Sequence, residues 1–133
     1  MTTDTTASTM TMLALLDNLF FAAKINAAAA QAGLQLNTAR TFEQALVKAQ
    51  VEAPGLILLD LDAQACRPLD FIRALKADAT LHDIPLLGFV AHVHVEVQEQ
   101  ARRAGCDRVL ARSVFVRDLP ELLRRAVNLT RHT

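Results

Sequence analysis

Cysteine is scarce. Cys66 and Cys106 are the only two, forty residues apart, with no C-x-x-C pair and no neighbouring ligand cluster. That spacing argues against a zinc site and against a disulfide framework, and a reducing cytoplasm is the expected home. Net charge is missing as well: Lys and Arg total 14, Asp and Glu total 14. No overall field therefore draws the chain to nucleic acid or to an anionic membrane, and only a local basic patch would do so. The paired arginines at 102, 103, 124 and 125 read as solvated helix faces rather than such a patch. No apolar run reaches the roughly 18 residues needed to cross a bilayer. The opening MTTDTTASTM lacks the basic start and apolar core of a secretory signal. Residues 1–10 are expected to form a flexible tail and residues 11–133 a single soluble domain. There is no internal repeat, no Gly/Ser linker, and no glycine-rich phosphate loop or GxGxxG after any predicted strand.

What the chain does contain is apolar material, 52% of 133 residues, enough for one core that buries roughly two thirds of the unfolded surface. Short apolar runs alternate with helical periodicity. MLALL (12–16) reads as a buried strand; Phe21, Ile25, Ala28, Ala29 and Ala32 then share one helical face before Gly33 ends it. LQLNTA (34–39) is a second strand. Thr41 and Gln44 match a capping box ahead of a stripe of Phe42, Ala45, Leu46 and Ala49. GLILLD (55–60) is the third strand, followed by a helix that Pro68 starts and that buries Leu69, Ile72 and Leu75. IPLLGFV (84–90) is the fourth. HVHVEVQEQARRAG alternates like a strand at first and then turns polar; alternation of elements makes it a helix. DRVLA (107–111) is the fifth strand, and Asp118 with Glu121 is expected to cap a last helix striped by Leu119, Leu122, Leu123, Ala126 and Val127.

Five strands alternating with five helices imply an α/β fold, a doubly wound parallel sheet with helices on both faces. In the flavodoxin-like order 2-1-3-4-5, the carboxyl ends of strands one and three flank the switch point where ligands bind. Asp17 and Asp60 end those strands, so two carboxylates converge on one crevice. The third strand's run, LILLDLDA, breaks from hydrocarbon into Asp60 and Asp62 at that point.

The segments TARTFEQAL, LILLDLDA, IPLLGFVAH and AGCDRVLARSVF, in this order and at these spacings, resemble the receiver domain of two-component response regulators over roughly residues 11–128. The resemblance implies a phosphoacceptor aspartate at Asp60 and a second acidic residue at Asp17. Leu16 stands where the first acidic residue of that family would be. Val90 takes the place of a Thr or Ser, Arg112 that of a lysine, Ser113 that of the following proline, and Val109 that of an aromatic switch residue. Phosphoryl transfer to a carboxylate is catalysed by positioning and charge neutralisation, largely through magnesium held by oxygen ligands, and Leu16 offers no oxygen. Valine has the shape of threonine but donates nothing to an anion. Arg112 keeps the cation and can form a bidentate fork with Asp60.

The expected function is therefore a receiver-like signalling module that works through protein–protein contact without phosphorylation, a pseudo-receiver. Two alternatives stand beside it: a phosphoacceptor receiver modified at Asp60, and a small-ligand module using the same crevice. No enzyme is expected, because no base and nucleophile occur at convincing spacing, Ser113 included. No resident cofactor is expected, and at most a weak magnesium ion at Asp17 and Asp60. Asp62 reads as a solvated acid on the pocket rim or a replacement for part of the lost metal shell. His92 and His94 read as solvated loop histidines, Cys66 as a loop thiol and Cys106 as a small buried residue. The partner is expected to be a protein, a histidine kinase or another signalling protein, with a homodimer as a further output, and neither nucleic acid nor membrane. By the resemblance its docking face includes Val93, Val95, Val97, Arg108, Val114 and Phe115.

Overall fold

Parity along the strands decides the architecture. In a computed structural model that describes residues 11–91 and 95–132, odd and even strand positions enter two separate hydrophobic layers. The elements are β1 (Thr11–Leu15), α1 (Leu19–Gln31), β2 (Gln35–Ala39), α2 (Phe42–Glu52), β3 (Leu56–Asp60), a short 3-10 turn (Gln64–Cys66), α3 (Pro68–Lys76), β4 (Leu86–Val90), α4 (Val95–Ala104), β5 (Arg108–Ala111) and α5 (Arg112–His132). All strand pairs are parallel, as the alternation of elements requires, and the order is β2-β1-β3-β4-β5, the flavodoxin-like one. Met12, Ala14, Leu58 and Phe89 pack with Phe21, Ile25, Phe115, Leu119 and Leu123 beneath α1 and α5. Leu13, Leu15, Ile57, Leu59 and Val90 pack with Ala45, Phe71, Ile72, Leu75 and Ala101 beneath α2, α3 and α4. Two-sided burial explains why β3 and β4 read as continuous apolar runs: every residue of both is buried.

Helix ends follow their local chemistry. Thr41 Oγ1 accepts from the Gln44 N–H at 3.1 Å, and the Gln44 side chain accepts from the Arg40 N–H at 3.0 Å, so the predicted capping box forms one residue wider than the usual pattern. Asn18 caps α1 by accepting from the Phe21 N–H at 3.0 Å, and Gly33, at φ +78°, ends that helix. Pro68 opens α3 as expected, after Arg67 turns the chain at φ +52° with its guanidinium 4.6 Å above the Phe42 ring.

Two boundaries differ from expectation by more than one residue. Strand four begins at Leu86 rather than Ile84, since Pro85 has no N–H for the ladder; its carbonyl still accepts from Ile57 at 3.0 Å. The last helix starts at Arg112, directly after β5, so Asp118 lies inside it instead of capping it. Phe115, Leu119 and Leu123, spaced by four and almost fully buried, form one stripe across Pro120. Their burial outweighs the cost of about 3 kcal/mol for an internal proline. The Asp118 carboxylate pairs with the neighbouring Arg117 at 2.9 Å. His92, Val93 and His94 lie outside the described residues, and so do residues 1–10.

Candidate functional site

The carboxyl ends of β1, β3, β4 and β5 open on the same side of the sheet. Asp60, the last residue of β3, is the one charged side chain found fully buried among the described residues, 3% exposed. Asp17, just past β1, is exposed and close enough for its charge to act on Asp60. Both acids lie at the carboxyl end of the sheet, past neighbouring strands β1 and β3.

Asp60 has its oxygens occupied from within the protein. Oδ1 accepts from the Asp62 N–H at 3.0 Å, and Oδ2 lies 3.4 Å from an Arg112 guanidinium nitrogen. The expected two-pronged fork does not form: Arg112 reaches Asp60 through one donor at long range, while its guanidinium sits 5.1 Å from the Phe21 ring centroid. Its Nε is buried and makes no hydrogen bond. Competition between the ring and the carboxylate for one planar group accounts for the loss of the second prong. Burial pushes the Asp60 carboxyl above its ordinary value; the Asp62 N–H and the Arg112 charge pull it down, and the Asp62 and Asp17 charges push it up again.

Asp62 does something its sequence context did not signal. Its carboxylate accepts the backbone N–H of Ala91, the residue after β4. The β3–α3 loop, the end of β4 and the start of α5 are thus tied together through two neighbouring carboxylates. Val90, directly before that N–H, is fully buried in the α2–α4 layer, and Leu16 is buried in the opposite layer with Phe21 and Phe115. Neither side chain offers an oxygen to the crevice. A magnesium ion wants about six oxygen ligands in octahedral array. Here the side chains supply Asp17 and an Asp60 already bonded through both oxygens, and among the described residues no three His, Cys, Asp or Glu side chains gather in metal-holding geometry. This donor set does not fit a tightly held divalent ion.

Other predicted positions separate. Ser113 is exposed in the first turn of α5. Val109 is buried in the α2–α4 layer beside Cys106. Phe115, expected on a partner face, is completely buried and stacked on Phe89 with centroids 4.6 Å apart. Its place in the i, i+4 stripe of α5 explains why it turns inward. Val95 is 68% exposed, Arg108 is exposed, and Val97 and Val114 are half-buried. Cys66, expected as a loop thiol, is buried, its Sγ 3.2 Å from the Arg40 carbonyl oxygen. A groove of about 330 Å³ between α3 and α4 is lined by Leu61, Arg67, Leu69, Arg73, Val97 and Gln100, away from Asp60. No described helix is long and apolar enough to cross a membrane.

No protein-family profile matches the sequence, and no curated protein matches it either. Solved structures do. The chemotaxis response regulator CheY4 of Vibrio cholerae superimposes with a TM-score of 0.79 at 20% identity, over 89% of this chain and 98% of that one. The receiver domain of NtrX from Brucella abortus gives 0.75 at 21% identity, over 88% and 98%. The phosphorylated cyanobacterial phytochrome response regulator RcpA gives 0.74 at 19%, over 87% and 89%.

The chain has the receiver fold. At such identities the likeness concerns the fold alone. Within the receiver fold, Asp60 ends the third strand at the mouth of the crevice, while Leu16 and Val90, at the ends of the strands to either side, present hydrocarbon.

Proposed function

We propose that this receiver-fold chain is a signalling module that acts by binding another signalling protein, a histidine kinase among the candidates, in one standing conformation that phosphorylation does not set. The observation that carries the reading is the continuous chain of hydrogen bonds at the crevice. Asp60 accepts from Asp62 and Arg112, and Asp62 accepts from Ala91. A phosphoryl group arriving at Asp60 would have to displace the Asp62 N–H or Arg112. It would also find the Ala91 N–H taken by a carboxylate whose negative charge repels it. With Val90 in place of a hydroxyl and Val109 in place of an aromatic ring, nothing at the crevice reports an arriving anion. The face for a protein partner is what remains exposed of α4, β5 and α5: Val95, Val97, Arg108 and Val114.

The test is a titration with magnesium and either acetyl phosphate or beryllofluoride, followed by intact mass and amide chemical shifts. The expected result is no covalent mass gain and no shift at residues 106–115. A stoichiometric gain of one phosphoryl group that disappears in Asp60→Asn, with shifts spreading along β5, would establish a phosphoacceptor instead.

A further inference from the structure

Two strongly exposed large apolar residues lie off the α4–β5–α5 face, which itself exposes Val95. Leu19 is 66% exposed and Phe20 is 88% exposed, both in the first turn of α1. Each of the other four helices carries both signs of charge, whereas α1 carries Lys24 alone and exposes Ala23, Ala27 and Ala30. At 100° per residue Phe20, Ala23, Ala27 and Ala30 fall within about 80° of one another, and Leu19 borders them. Solvent-facing helix positions are ordinarily charged or polar; this strip is hydrocarbon along its whole length.

The strip is also self-complementary. Reversed about position 25, Phe20 falls on Ala30 and Ala23 falls on Ala27. An antiparallel copy would therefore set each large ring over a methyl group at the far end, with small residues opposed at the centre where backbones approach most closely. A two-fold interface demands that kind of match, because one patch must fit itself. A surface with one cation and no anion has little to offer a charged partner; Lys24 flanks the strip, exposed, where its long side chain can turn to water away from its own copy.

We infer that the exposed face of α1 is an antiparallel self-association surface, α1 against α1 of a second copy. This stands apart from the crevice and from its proposed signalling role. A helix of 13 residues is about 20 Å long and a pair of them buries on the order of 400 Å² per protomer, well short of a stable dimer's 1,200–2,000 Å² in total. The dimer is accordingly weak, with a dissociation constant on the order of 0.1–1 mM.

Sedimentation equilibrium from about 20 μM to 2 mM, spanning that constant, is the first measurement. The weight-average mass should climb from the 14.5 kDa monomer towards twice that value, and Phe20→Lys should hold it at the monomer. Val47→Lys and Val95→Lys, at exposed valines on α2 and α4, should leave the wild-type curve unchanged. Register is read by air or copper oxidation of Ala23→Cys mixed with Ala27→Cys. Both native cysteines are buried and leave a low background. The mixed disulfide should exceed the two homodisulfides taken together, which random pairing of an equimolar mixture would only equal. A wild-type mass that stays monomeric at 2 mM overturns the inference. So does a dimer that survives Phe20→Lys but not Val95→Lys, or a preference for the 23–23 homodisulfide, which marks parallel helices.

Discussion

Replacing Asp60 by asparagine should make the protein more stable at neutral pH. At 3.4 Å the Arg112–Asp60 attraction is about 5 kcal/mol at an effective dielectric of 20. The Arg112 side chain is one third exposed, and water screening brings the usable part down to roughly 1–2 kcal/mol. Against this stands the cost of stripping water from a carboxylate that is 3% exposed, several kcal/mol for a buried ion. The upward displacement of the Asp60 carboxyl, with burial as its largest cause, states the same balance: desolvation wins. The amide of Asp60→Asn keeps an oxygen to accept the Asp62 N–H and buries no charge; its NH2 group then faces Arg112, donor against donor, but that guanidinium is one third exposed and can turn to water, so a net gain of about 1 kcal/mol is expected. The pH dependence follows from the direction of the shift. Below the ordinary value of 3.8, Asp60 is protonated in both folded and unfolded chains and the two proteins are alike. As pH rises through that value the unfolded chain releases its proton while the folded one holds it, so wild-type stability falls. The loss stops growing once pH passes the raised folded value. Urea denaturation at pH 3 and pH 7 measures both ends. Far-UV circular dichroism is the probe, because the chain has no Trp and no Tyr. An Asp60→Asn variant less stable than wild type at pH 7, or a gap as wide at pH 3, would refute the reasoning.

Three further outcomes follow from packing and burial. Phe115→Ala should cost about 3–5 kcal/mol, since the ring is fully buried against Phe89 and Phe21; a loss under about 1 kcal/mol in urea denaturation would contradict that placement. Gly88→Ala should cost about 1–3 kcal/mol, because a Cβ there would lie 2.8 Å from Leu61 Cδ1 and 3.3 Å from Cys106 Sγ; shortening the neighbour with Leu61→Val should recover part of it in the same assay. Cys106, its thiol pushed up to about 11 by burial, should resist iodoacetamide at pH 8 in the folded protein and react fully in urea, as peptide mass mapping will show.

The legible part of this molecule is the part that depends on neighbours in sequence. The apolar run of β1 and the three- and four-residue stripes of α1, α2 and α3 are local patterns, and each element forms where its pattern lies, within a residue for β1. The Asp118–Glu121 pair misled because it is also local: it carries a capping signature, yet the stripe through Phe115, Leu119 and Leu123 was strong enough to extend the helix past it to Arg112. The same stripe turned Phe115 inward, away from the face where the receiver resemblance placed it. At the site, contacts span greater separations. Asp62 meets Ala91 across 29 residues and Arg112 meets Asp60 across 52. No periodicity encodes such a pairing, so the strand pattern placed Asp17 and Asp60 at the sheet's carboxyl end without showing how Asp60 would bond.

Leu16 and Val90 have a common physical effect at the crevice, and it bears on what an oxygen introduced at either position would do. Leu16 and Val90 each belong to a hydrophobic layer, one on either side of the sheet. A hydroxyl at position 90 would be buried and need a partner, at a cost of about 1–3 kcal/mol if it found none. A carboxylate at position 16 would enter the layer that holds Phe21, Phe89 and Phe115, where an unpaired charge is costlier still. Meanwhile the acids that remain, Asp60 and Asp62, have drawn their hydrogen bonds from the backbone and from Arg112. Introducing one oxygen therefore destabilises a packed layer without freeing the donors that an incoming anion would use. The hydrogen-bond chain at Asp60 and the packing at Leu16 and Val90 reinforce each other, and a phosphate-responsive crevice would require changing both together.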